Sequence, residues 1–139
     1  MRTFFDTNVL VYLFDADAPG KQSTARKLLA REASAGRAIL STQVLQEFFV
    51  AVTRKLAVPL APDDAQRAVR RLADLSVVQV DPDLILSAIS LGIRNSLSFW
   101  DSLIIRAAQR GGASILYTED LQNGQEFDGL RIADPFLEN

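Results

Sequence analysis

The chain of 139 residues contains no cysteine and no histidine. Without cysteine there are no disulfides, no thiol nucleophile and no thiolate zinc site, and a reducing compartment suits it. Without histidine there is no Ser-His-Asp triad, no Cys-His dyad and no imidazole general base. No apolar run approaches the roughly 18 residues of a membrane span. Arg2 is followed by a strand and an acidic residue, not by a signal-peptide core and cleavage site. The expectation is a cytoplasmic protein that makes no use of a membrane. Nor is there an internal repeat, a linker or a low-complexity stretch, so residues 1–139 are expected to form one domain.

What is present is an ordinary globular composition, 48% hydrophobic and 23% charged. The net charge of −2 argues against a general nucleic-acid binder, but its distribution is two-sided. Lys21 to Arg71 holds ten Lys/Arg against four Asp/Glu, whereas Leu72 to Asn139 holds four against ten. Solvated helix faces account for such a pattern in many proteins.

Strands and helices alternate along the chain. Thr3-Phe4-Phe5 reads as a short buried strand, followed by Asp6, Thr7, Asn8 and the apolar run Val9 to Phe14. Asp15 to Gly20 reads as a loop and Lys21 to Ala35 as a helix that Gly36 stops. Ala38-Ile39-Leu40 is the next strand, and Ser41 and Thr42 cap a helix from Gln43 to Leu56. Pro62-Asp63-Asp64 opens a helix to about Leu75, with its acids where the helix dipole favours them. Val77 to Val80 is a strand, and Asp81-Pro82-Asp83 opens a helix to about Asn95. Ser98 opens another that Gly111-Gly112 ends. Ile115-Leu116-Tyr117 and Leu130-Arg131-Ile132 are the remaining strands. This alternation predicts an α/β domain, a mostly parallel central sheet with helices on both faces.

In such a sheet the carboxyl ends of the strands lie along one edge, where ligands bind. Asp6 and Asp120 follow strands. Glu47 lies about one turn into the helix after the second strand, and Asp101 lies in the first turn of its helix. Each acid has a plainer role open to it. Asp6 can cap the next helix, Asp101 can close a capping box with Ser98, Asp120 can form an Asx turn, and Glu47 can be a half-exposed helix acid. Four carboxylates at one edge repel one another, by about 4 kcal/mol per close pair at an effective dielectric of 20. A cation or raised pKa values must relieve them. Oxygen ligands without histidine or cysteine suit Mg²⁺ or Mn²⁺ rather than zinc. The chemistry such ions serve is hydrolysis of a phosphodiester.

Four pieces of the chain, in order, resemble the PIN-domain ribonucleases, and among them the VapC-type toxins of bacterial type II toxin–antitoxin pairs. They are Phe5-Asp6-Thr7-Asn8, Gln43-Val44-Leu45-Gln46-Glu47-Phe48, Phe99-Trp100-Asp101-Ser102-Leu103-Ile104 and Thr118-Glu119-Asp120-Leu121. The resemblance covers essentially the whole chain. It implies a Mg²⁺-dependent endoribonuclease whose catalytic, metal-binding acids are Asp6, Glu47, Asp101 and Asp120, with Asn8 and Thr118 as supporting polar groups. It also implies an RNA substrate, a small cognate antitoxin protein and a homodimer. The basic helices between Lys21 and Arg71 are then expected to line an RNA groove beside the acidic edge, which an antitoxin segment could occupy instead. The Phe99 and Trp100 rings are read as core rather than as stacking platforms for RNA.

Two rival enzymes also begin with a strand and an aspartate. A haloacid-dehalogenase-like phosphatase needs a second aspartate two residues on, where Asn8 stands, and both it and a phospho-receiver need a late lysine. No lysine follows Lys55. An inactive PIN-like RNA- or protein-binding module remains the alternative from another class. The presence of all four acids favours activity.

Overall fold

The computed structural model describes residues 1–137. Six strands and six helices run β1 (Arg2–Phe5), α1 (Thr7–Val11), α2 (Pro19–Ser34), β2 (Ala38–Ser41), α3 (Thr42–Arg54) and α4 (Pro62–Leu72), then β3 (Ser76–Val78), α5 (Pro82–Asn95), α6 (Phe99–Arg110), β4 (Ala113–Tyr117), β5 (Glu126–Phe127) and β6 (Leu130–Ala133). A 3₁₀ turn at Tyr12–Phe14 extends α1. The order in the sheet is β3-β2-β1-β4-β6-β5. All pairs are parallel except β5 with β6. The α/β expectation therefore holds.

Local chemistry explains most boundaries. Pro19 and Pro62 supply a preset φ at the first turns of α2 and α4, and α2 starts two residues ahead of Lys21 for that reason. Ser41, Asp81 and Ser98 cap α3, α5 and α6 through their side chains. Gly36 has φ +71°, a left-handed stop past α2 that only glycine adopts without strain. Gly92 serves a different need. A Cβ there would stand 3.0 Å from Ser102 Oγ and 3.1 Å from the Leu97 carbonyl oxygen, so α5 and α6 approach closely at that point.

Phe4 and Phe5 of β1, Ile39 and Leu40 of β2 and Leu116 of β4 are buried at the centre of the sheet. Val44, Phe48 and Val52 of α3 and Leu103, Ile104 and Ile105 of α6 join the same core. Among the described residues no helix is long and apolar enough to cross a membrane.

Strand order positions the site. From β1 the chain steps outward to β2 and β3, then crosses back to enter β4 on the other side of β1. Parallel crossovers are right-handed, so these opposite steps send their helices to opposite faces. The reversal opens a crevice at the carboxyl ends of β1 and β4.

Candidate active site

A cavity of about 710 Å³ lies at that crevice. Asp6, Glu47, Asp101 and Asp120 all line it. They arrive from the end of β1, the second turn of α3, the first turn of α6 and the loop after β4.

Asp6 is the floor, only 6% exposed. Its Oδ1 accepts the Thr7 N–H at 2.7 Å, so the helix-capping role is also real. Its Oδ2 accepts the Thr118 hydroxyl at 2.8 Å. Burial pushes the Asp6 carboxyl up to about 7, opposed by the bonds from Thr118 and Thr7 and reinforced by the charges of Asp120 and Glu47. Thr118 is itself buried, and its oxygen also accepts from Asn8 Nδ2 at 3.2 Å and from the Asp120 N–H at 3.1 Å. Asn8 Oδ1 accepts the Glu119 N–H at 3.3 Å. Asn8 and Thr118 thus tie the end of β1 to the loop that carries Asp120.

Glu47 accepts the Thr7 hydroxyl at 2.8 Å on Oε1 and Gln43 Nε2 at 3.4 Å on Oε2. Asp101 donates its N–H to Ser98 Oγ at 3.1 Å. Among the described residues the return bond of a capping box is not made, nor does any group donate to the Asp120 carboxylate. These two carboxylates remain available to the cavity.

The four acids share a wall without touching. Among the described residues no three Asp or Glu stand close enough together to ligate one ion as placed. The donor set nonetheless fits a hard divalent cation. It is all oxygen, and the buried Asp6 carboxyl is destabilised as an anion by two of its neighbours in the way a cation would offset.

Three participants, Thr7, Gln43 and Tyr12, were not among the site residues expected from the sequence, whereas Lys55 belongs to the basic stretch expected to meet RNA. Thr7 orients Glu47. Gln43 bonds to Glu47 and to the Trp100 carbonyl at 3.4 Å, while its Oε1 is buried without a partner. Tyr12 donates to Glu119 at 2.6 Å, and both line the cavity rim. Lys55 lines the cavity from the end of α3. Only the Asp-Thr-Asn and Gln-x-x-x-Glu spacings hinted at Thr7 and Gln43.

The placement of Trp100 corrects the core expectation. Phe99 packs against the core, but Trp100 is 61% exposed and lines the cavity. Trp100 shares a helix face with Leu103 and Ile104, but it stands in the first turn of α6, where that face meets the cavity.

A sequence model of the PIN domain matches residues 3–125. The chain belongs to the PIN-domain family. Solved structures similar to this PIN domain include a toxin–antitoxin complex from Klebsiella pneumoniae, with TM-score 0.70, 21% identity and coverage of 96% of this chain and 97% of that one. DNA-bound VapBC from Salmonella typhimurium gives TM-score 0.68 and 20% identity, covering 97% and 98%. VapC20 of Mycobacterium tuberculosis, a sarcin–ricin loop cleaving toxin, gives TM-score 0.64 and 21% identity over 82% and 86%. At such identities the likeness is one of fold. No curated protein sequence matches the chain.

Proposed function

We propose that this PIN domain is an endoribonuclease dependent on Mg²⁺, for which Mn²⁺ can substitute, acting as the toxin of a toxin–antitoxin pair in the cytoplasm. The observation that carries the reading is the convergence of Asp6, Glu47, Asp101 and Asp120 on one cavity at the switch point of a PIN fold. Those four residues would hold the metal. When bound, it would supply Lewis acidity, activating a water and drawing charge from the phosphoryl oxygens.

The chain's own groups prepare the site. Thr118 fixes one oxygen of Asp6 and Thr7 fixes one oxygen of Glu47. Asn8 holds the Asp120 loop in register with β1. With no histidine in the chain, no imidazole base can deprotonate a ribose 2′-hydroxyl. Attack by water then leaves a 5′-phosphate and a 3′-hydroxyl. End-labelling the products and titrating EDTA test this. A 2′,3′-cyclic phosphate, or full activity in excess EDTA, would overturn it.

Neighbours that are toxin–antitoxin complexes motivate the antitoxin partner. A second copy has a candidate surface in Leu86, Ile89 and Ile93, which stand exposed along α5 between Asp83 and Arg94. Antiparallel pairing of two such helices sets opposite charges at their ends. Sedimentation of wild-type chain and Ile93→Glu, alone and with the adjacently encoded small protein, tests both partners. A monomeric wild type would remove the dimer, and no complex would remove the antitoxin.

A further inference from the structure

We propose that Trp100 and Lys55 form an RNA-binding subsite of the cavity, in which a base of single-stranded RNA stacks on the indole and the ammonium takes a phosphate of the same strand. The inference rests on the endoribonuclease reading and goes beyond it by naming the groups that grip the substrate.

Trp100 has a location that core packing does not explain. Burial of so large a ring is a major stabilising contribution, yet the ring is 61% exposed and touches Phe99 edge-on at a centroid distance of 5.0 Å. Its backbone is fixed in the first turn of α6, and its carbonyl accepts from Gln43. An exposed indole therefore lines the cavity from a rigid element. Trp100 also immediately precedes Asp101, so their Cα atoms are about 3.8 Å apart. Both line the cavity, so a base on this ring lies in the same groove as the acids.

The charge pattern selects the second member. Six acids line the cavity, Asp6, Asp15, Glu47, Asp101, Glu119 and Asp120. Among the described residues Lys55 is the one cationic side chain that lines it. Four other cations of the basic stretch are engaged elsewhere. Lys21 sits 2.9 Å from Glu119, Arg31 and Arg37 serve Glu32, and Arg67 pairs with Asp64. Lys55 has no carboxylate within ion-pair distance among the described residues. An unpaired ammonium and an exposed indole lining one cavity supply the two contacts that single-stranded RNA offers, to a phosphate and to a base.

The chain has a single tryptophan, so the residue in question is its own reporter. The probe is a fluorescein-labelled single-stranded RNA of roughly 10 nucleotides, within the span such grooves bind. Ca²⁺ replaces Mg²⁺ as an oxygen-binding ion of looser geometry. Intrinsic emission is read with unlabelled RNA, and anisotropy with the labelled strand. The expected result is saturable quenching of Trp100 that follows the anisotropy curve. Trp100→Ala should weaken binding roughly 5- to 150-fold, the equivalent of about 1–3 kcal/mol per stacked base, and Trp100→Phe should recover most of it. Lys55→Gln should flatten the dependence of log K on log salt by about 0.7, one phosphate contact on a single strand. Thermal unfolding of each variant reports its folding, and wild-type quenching needs no variant.

RNA binding without quenching, with Trp100→Ala as tight as wild type, would overturn the subsite and leave the ribonuclease reading standing. Tryptophan emission that changes with protein concentration alone, and not with RNA, would assign the ring to contact between copies and overturn it as well. Absence of both RNA binding and RNA cleavage would overturn the ribonuclease reading itself.

Discussion

Asp101 has two roles open to it, and its bonds separate them. Its backbone serves the Ser98 cap, while among the described residues its carboxylate makes no return bond. Removing the charge should therefore cost the cap little. Asp101→Asn should leave the metal-free protein as stable as wild type or more so, because it takes one negative charge from a crowded wall. A charge needed by the cap and the helix dipole would instead be missed by roughly 0.3–1 kcal/mol. Under the metal-site proposal the variant also loses RNA cleavage, and its stabilisation by added Mg²⁺ shrinks, since ligand-linked stability follows affinity. Thermal unfolding with and without Mg²⁺, beside a cleavage assay, decides it. Normal cleavage or full Mg²⁺ stabilisation would remove Asp101 from the site. The acids were legible because each stands just after a strand or early in a helix, where topology alone dictates direction. Trp100 was not. Whether a ring in a first helical turn is covered depends on elements distant in sequence.

At the level of elements, the junction from α2 to β2 holds a buried ion network. Glu32 is 1% exposed and accepts from Arg37 Nη2 at 2.7 Å, from Arg31 Nε at 3.1 Å and from the Thr3 hydroxyl of β1 at 3.0 Å. The Arg37 bond, aided by Arg31 and Thr3 and opposed by burial, draws the Glu32 carboxyl down to about 2. A depressed folded pKa stabilises the protein above the unfolded value. That stability is fully present above the ordinary 4.5 and is lost as pH falls from there through about 2. It amounts to roughly 3 kcal/mol at about 1.4 kcal/mol per unit. Glu32→Gln should be less stable than wild type near neutrality, and the gap should close on acidification across that window. Urea unfolding at several pH values measures it, and a gap independent of pH would show that the charge contributes nothing. This network was not legible, since Glu32 shares the buried face of Ala25 and Leu28 while its partners Arg37 and Thr3 lie on other segments. The sequence expectation has no counterpart to β5 and its hairpin with β6. Two residues of strand have no periodicity to read, but Asp128 and Gly129, at φ +47° and +88°, carry the Asp-Gly signal of a tight hairpin turn.

Across the whole molecule, the basic surplus between Lys21 and Arg71 divides by tertiary environment. Arg31 and Arg37 neutralise Glu32, and Lys21 is held charged by its bonds to Glu119 and Tyr12. Arg54 and Lys55 stand exposed at the end of α3, and Lys55 faces the cavity. Arg70 and Arg71 stand exposed at the end of α4, outside it. Removing Arg54 with Lys55 should weaken RNA binding and flatten its salt dependence more than removing Arg70 with Arg71. Affinity and salt slope unchanged from wild type in both double alanine variants would reduce these residues to solvated helix faces. The sequence by itself determined the α/β class, the order of the elements and the candidate acids, because strand alternation, caps and strand-end carboxylates are local signals. Only the tertiary structure decided that the crevice opens between β1 and β4, that the acids line it without touching, and which cations and which aromatic ring reach it. Those facts depend on strand order and on burial by residues far apart in the chain, which local spacing does not encode.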